Sequence, residues 1–190
     1  MQAIFDTYSS LDVPVVKEAS KHNLFLIGGT AIQLWARYYG VKERRTRSIN
    51  DLDFLIEAGN KRGLEAFKEF LEDSGFVEEG SVSDEDYTLF FKNTHDEVEV
   101  DILRTYERIT DVAEVKGVKT IDPVKLFIFK LQRLTSGDQT KSVTDIQDLN
   151  TLYDVIEKRG NITELEDAIS IEVPYCSEEQ LNEWLNEQIL

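Results

Sequence analysis

The chain has 190 residues and a mass of 21.9 kDa, a length that suits one domain or one domain with an appendage. With 37 acidic against 21 basic side chains its formal net charge is −16, and 41% hydrophobic residues supply a core, which argues against disorder and against bulk attraction to polyanions. A single cysteine, two histidines, no apolar run of the roughly 18–20 residues that cross a bilayer, and a start without a signal-peptide pattern set aside a disulfide framework, a Cys/His zinc site and a membrane anchor; the expectation is a cytoplasmic protein. Residues 12–22 are predicted helical and lead into a short strand, Leu24 to Ile27. Gly28-Gly29-Thr30 breaks that strand, and 31–38 has helical spacing that Gly40 stops. A basic run follows, with Lys42, Arg44, Arg45 and Arg47 within six residues, and its plain reading is a solvated loop.

Leu52 to Ile56 is predicted to be a strand, and 61–74 a helix whose apolar face is Leu64, Phe67, Phe70 and Leu71. Tyr87 to Phe91 and Val98 to Leu103 form a predicted antiparallel hairpin, and a second pair, 111–115 with 118–121, turns at Lys116-Gly117. Asp122-Pro123 then opens a helix, with an acid at the cap and proline in the first turn. Helices are expected over 123–134, 143–158 and 178–189, the last with Ser177 and Gln180 fitting a capping box. The expected fold is α/β (α+β): a mixed β-sheet core flanked by helices over residues 1–121, then a mostly helical C-terminal region over 122–190.

Asp51-Leu52-Asp53 heads the strand at 52–56. Side chains alternate across a strand, so the two carboxylates share a face. Adjacent carboxylates repel; a divalent cation removes the conflict, and hard oxygen donors suit magnesium. The plainer alternative is a polar turn capped by Asp51 with Asp53 exposed. Asp101 weakens it, because it interrupts an otherwise apolar strand. If that strand lies beside the one carrying Asp53, three carboxylates meet, and burying them without cations costs on the order of several kcal/mol. Two metals about 3.5–4 Å apart would align an attacking hydroxyl with phosphorus. Glu99 shares Asp101's face and reads as an exposed strand residue.

Glycines at a strand-to-helix turn let backbone N–H groups approach a phosphate, and Thr30 would add a hydroxyl donor; the same junction is also an ordinary tight turn. Lys130 is a charge within Leu126-Phe127-Ile128-Phe129-Lys130-Leu131, where its ammonium must reach water or an anion. Asp145 and Asp148 share a helix face, as caps or surface acids unless they have a further role.

Together these features resemble the DNA polymerase β-type nucleotidyltransferase superfamily, nearest to its AbiEii-like branch, which includes toxins of bacterial toxin–antitoxin and phage-defence systems. The resemblance spans roughly residues 20–155 and rests on Gly28-Gly29-Thr30-Ala31-Ile32, Asp51-Leu52-Asp53-Phe54, Asp101, Asp122-Pro123, Lys130-Leu131 and Asp145 to Leu149. It implies a metal-dependent transfer of a nucleoside monophosphate from an NTP to a hydroxyl, with release of pyrophosphate. Gly28, Gly29 and Thr30 would hold the triphosphate, and Asp51, Asp53 and Asp101 would bind two Mg2+ ions, or Mn2+. Asp101 would also help activate the acceptor. Lys130 would lie near the triphosphate, and Asp145 matches the acidic motif of the following helix.

One departure matters. The family places Ser or Thr two residues before the first Asp, after an Arg; here that position is Ile49, with Ser48 and Thr46 nearby, so the nucleotide-binding roles of Arg47 and Ser48 stay open. The acceptor is RNA, protein or a small molecule, and a cationic aminoglycoside-like acceptor suits the acidic charge. A toxin role would bring an antitoxin protein as partner. The alternative is a catalytically silent module that binds a nucleotide or a partner. The C-terminal amphipathic helix with Leu181, Trp184, Leu185 and Ile189 packs on its own core or binds a partner.

Overall fold

The computed structural model describes residues 12–44, 51–82, 88–95, 98–136 and 142–186. Arg45, Thr46, Arg47, Ser48, Ile49, Tyr87 and Ile189 of the sequence analysis lie outside them. The chain divides into two compact units, one of Met1–Ala31 with Ser48–Ile121 and one of Ile32–Arg47 with Asp122–Leu190.

Helix α1 (Asp12–Lys21), strands β1 (Phe25–Ile27) and β2 (Asp51–Glu57), helix α3 (Lys61–Asp73) and strands β3 (Phe76–Val82), β4 (Thr88–Asn93), β5 (Glu99–Thr105), β6 (Val112–Val115) and β7 (Val118–Ile121) build the first unit; helix α2 (Gly28–Tyr39) begins there. The seven strands make one mixed sheet in the order β3-β4-β5-β2-β1-β7-β6. Pairing is parallel for β2 with β5 and for β1 with β7, and antiparallel elsewhere.

Alternation in β2 buries Leu52, Phe54 and Ile56 on one face and leaves Asp51, Asp53, Leu55 and Glu57 half-buried on the other. The buried face receives α3, whose Leu64, Phe67 and Leu71 recur at helical spacing; the Phe54 and Phe67 rings meet edge to face at 5.5 Å. The acids therefore stand on the sheet face opposite α3. Asn60 caps α3 by accepting from Gly63 N at 3.1 Å. The turn between β6 and β7 uses Lys116 and Gly117 at φ of 53° and 81°, the left-handed pair a two-residue hairpin requires.

The second unit holds the rest of α2, then α4 (Pro123–Thr135), α5 (Ser142–Arg159), α6 (Ile162–Glu172) and α7 (Glu178–Asn186). As the sequence requires, Asp122 caps α4 by accepting from Val124 N, and Ser177 Oγ accepts from Gln180 N at the start of α7. The architecture is the expected one, a mixed sheet flanked by helices followed by a mostly helical C-terminal region.

Two elements were not foreseen. β3 is an edge strand with a bulge between Glu78 and Gly80, and its pairing with β4 comes from tertiary structure. α6 carries helical spacing at Ile162, Leu165 and Ile169 and the Asn161-to-Glu164 spacing of a helix start, although the Asn161 side chain makes no cap bond. The Phe67→Ala substitution should remove about 3–5 kcal/mol of stability, read as a lower urea midpoint, because that ring is fully buried between sheet and helix.

Candidate functional site

The parallel register of β2 and β5 sets Asp53 directly beside Asp101 and Asp51 beside Glu99. Strands at this pairing lie about 4.8 Å apart, so both pairs present carboxylates to one sheet face as immediate neighbours. β1 continues the row, with Ile27 opposite Asp53, and β4 ends it, with Phe90 opposite Asp101. Asp51, Asp53 and Asp101 are all half-buried, so the alternative of an exposed Asp53 at a polar turn is set aside. Glu99 is exposed, as expected, and forms an ion pair with Lys92 at 2.9 Å.

The turn from β1 into α2 is built against these acids. Gly28 has φ of +66°, and a Cβ placed on it would fall 1.9 Å from Asp53 Oδ2. Glycine is thus demanded twice, by the left-handed backbone and by the carboxylate lying against its Cα. Two residues on, Thr30 is 1% exposed and its hydroxyl donates to the backbone carbonyl of Asp51 at 3.1 Å. That bond fastens the first turn of α2 to the strand entry and commits Thr30's proton within the fold.

Among the described residues no three His, Cys, Asp or Glu side chains converge closely enough to hold a metal ion by themselves. Asp53 and Asp101 each engage other groups. The donor set is oxygen only, which fits magnesium; that ion keeps several waters and is commonly held by one or two carboxylates plus substrate phosphates, so a closed protein cage is not required.

The second unit contains a separate charge cluster. Asp145 and Asp148, 1% and 2% exposed, are not the caps or surface acids that spacing allowed. Lys130 Nζ lies 3.0 Å from Asp145 Oδ1 and 2.9 Å from Asp148 Oδ2. Arg133 grips Asp145 with two bonds, Nε to Oδ2 at 2.8 Å and Nη2 to Oδ1 at 2.7 Å. Two cations and two carboxylates balance, and that balance makes their burial tolerable. Lys130 thus answers to anions within its own unit, donating a hydrogen bond to Asp145 and forming an ion pair with Asp148.

The basic run also differs from a solvated loop where it is described. Arg44 Nη2 meets Asp154 Oδ2 at 2.7 Å, its Nη1 donates to Asn150 at 3.1 Å, and its backbone N donates to Thr151 Oγ1 at 3.2 Å. Arg37 Nε reaches Glu43 at 2.8 Å. Arg44 is therefore an anchor on α5, a role that periodicity could not show because its partners lie more than a hundred residues away.

No family model matches the chain, and no curated protein does. Solved structures do. JHP933 from Helicobacter pylori is 18% identical with a TM-score of 0.50, over 100% of this chain and 85% of that one. The Megavirus polyadenylate synthase is 10% identical with a TM-score of 0.56, over 86% of this chain but 35% of that one. What is shared is the fold. At these identities the likeness extends to chain path and not to activity, and the chain spans about a third of the polyadenylate synthase.

Asp145→Ala should destabilise the protein by about 1.5–3 kcal/mol in urea unfolding, since it removes the charged hydrogen bonds of Lys130 and Arg133 to a buried carboxylate while Lys130 keeps Asp148 and Arg133 is partly exposed. Gly28→Ala should lose at least about 1 kcal/mol, and less in an Asp53→Ala background where the clashing carboxylate is gone. Equal losses in both backgrounds would show that the Gly28–Asp53 approach has no energetic role.

Proposed function

We propose that the chain is a metal-dependent nucleotidyltransferase that moves a nucleoside monophosphate from an NTP to an acceptor hydroxyl, releasing pyrophosphate. The observation that carries this reading is the pairing of Asp53 with Asp101 on adjacent parallel strands, on the same face as Asp51 and against the Gly28 turn. Like-charged acids held side by side raise the free energy of the apo protein, and a site built for cations gives that arrangement a purpose. Sharing a fold with a polyadenylate synthase agrees with it.

Asp51, Asp53 and Asp101 would hold Mg2+, or Mn2+, together with triphosphate oxygens, and the ion would supply charge neutralisation at the phosphates. The backbone of Gly28 and Gly29 at the opening of α2 offers N–H donors to the same anion, while Thr30 positions that turn through Asp51. Asp101 would orient the acceptor hydroxyl. The wording of the motifs supports the AbiEii-like branch, and with it a toxin role alongside an antitoxin. The acceptor is RNA, protein or a small molecule; the net charge of −16 favours a cationic acceptor over a polyanion.

A second reading, a silent module that binds nucleotide without turnover, draws on the lack of a converged three-donor group among the described residues and on Ile49 in the Ser/Thr position. Thermal unfolding with each of the four NTPs, with and without Mg2+, separates these readings. At a nucleotide concentration near 100 times Kd the expected rise in Tm is roughly 5–10 °C, dependent on Mg2+ and lost in Asp53→Asn and Asp101→Asn. A Mg2+-linked rise that survives in both variants would overturn the assignment of the site. A rise in wild type without pyrophosphate release on RNA, protein or aminoglycoside acceptors would select the silent module.

A further inference from the structure

The helical unit contains a cleft of about 590 Å3 between α5, α6 and α7, floored by Ile162, Leu165, Ile169, Val173, Leu181 and Leu185. Its volume falls in the range of ligand-binding clefts, and its floor is aliphatic. Glu166 and Glu178 stand on its walls. Between the lining residues Pro174 and Cys176, on the connection between α6 and α7, Tyr175 is 64% exposed and extends the apolar surface beyond the cleft.

The charge around the cleft has one sign. From Asn161 to Leu190 the chain carries eight Asp and Glu residues and no Lys, Arg or His, which is half of the formal net charge of −16 in under a sixth of the length. The cations of the helical unit stand earlier in the sequence, where Lys125 pairs with Glu172 and Arg159 with Asp122. An aliphatic floor within an all-acidic segment is complementary to a surface of the opposite design, apolar residues flanked by lysine or arginine. A second copy of this chain would bring like charge to like charge. A small amphiphile would fill the floor but leave Tyr175 in water.

We propose that the α5–α6–α7 cleft is a docking site for a basic amphipathic helix of a partner protein, its apolar face on the half-buried Ile169, Leu181 and Leu185 and its cations against Glu166 and Glu178. This is the helix-in-groove mode, with apolar anchors spaced at helical intervals. The site lies wholly within the helical unit, and the proposal stands whether or not the sheet unit transfers nucleotides.

The single cysteine supplies a native reporter. Cys176 lines the cleft and is half-buried, and burial pushes its thiol up from the ordinary value. Full-length protein is labelled with a chromogenic disulfide reagent in the presence of a synthetic peptide of about 14 Leu and Lys residues patterned as an amphipathic helix. Fluorescence anisotropy measures binding of the same peptide.

The expected result is saturable binding that weakens with salt, with Cys176 labelling slowed about tenfold or more at saturation. A twin peptide with Glu in place of Lys should bind at least about tenfold more weakly. The exposed double variant E166K/E178K should reverse the preference between the two peptides while keeping its fold by circular dichroism. Ile169→Ala should weaken the Lys peptide without reversing it. Four outcomes would overturn the proposal: binding that leaves Cys176 labelling unchanged; equal affinity for both peptides; protection of Cys176 by raising the protein concentration alone, which assigns the cleft to a second copy; and equal protection by a small cationic amphiphile, which assigns it to a small molecule.

Discussion

The pairing of β2 with β5 is the constraint on which the sheet unit's chemistry depends. Parallel register leaves no freedom: once Leu52 and Phe54 are buried beside Val100 and Ile102, Asp53 must stand next to Asp101 on the other face. The hydrophobic pattern that stabilises the sheet and the acid pair that burdens it are therefore set by the same register. A one-residue slip would separate the acids only by sending the apolar side chains of β2 to the opposite face. The strain falls on the turn at Gly28, which has to pass within contact of the Asp53 carboxylate and can do so only without a side chain.

The helical unit solves the opposite problem. There the acids are buried and fully balanced: Asp145 and Asp148 are met by Lys130 and Arg133 from α4, and the geometry with Arg133 is bidentate. Such a network adds little net stability over a well-packed apolar alternative, yet breaking one member is costly. It ties α4 to α5, since both carboxylates on α5 meet the same ammonium on α4. The two clusters thus differ in kind. In one, carboxylates are set side by side by strand register; in the other, buried carboxylates are met by cations from the facing helix.

The last 30 residues, outside both clusters, are shaped by sign rather than by pairing. Acidic residues crowd the last two helices around an aliphatic cleft, so this end of the protein presents apolar surface without becoming a general hydrophobic patch. Negative charge repels like copies and selects against most surfaces, and it does so without any specific contact.

Much of this was legible in the sequence. Local chemistry determined the strand-to-helix break at Gly28-Gly29, the cap at Asp122-Pro123, the turn at Lys116-Gly117 and the alternation that puts Asp51 and Asp53 on one face, because each depends on residues within a few positions of one another. Tertiary structure alone decided the partners. That β5 would lie parallel to β2, that edge strand β3 would find β4, that Arg44 would dock on α5, and that Lys130 would be held by Asp145 and Asp148 are all matters of contacts across tens of residues or more. Sequence periodicity reports which face a residue occupies; which other residue occupies the facing position is set by packing, and no spacing along the chain encodes it.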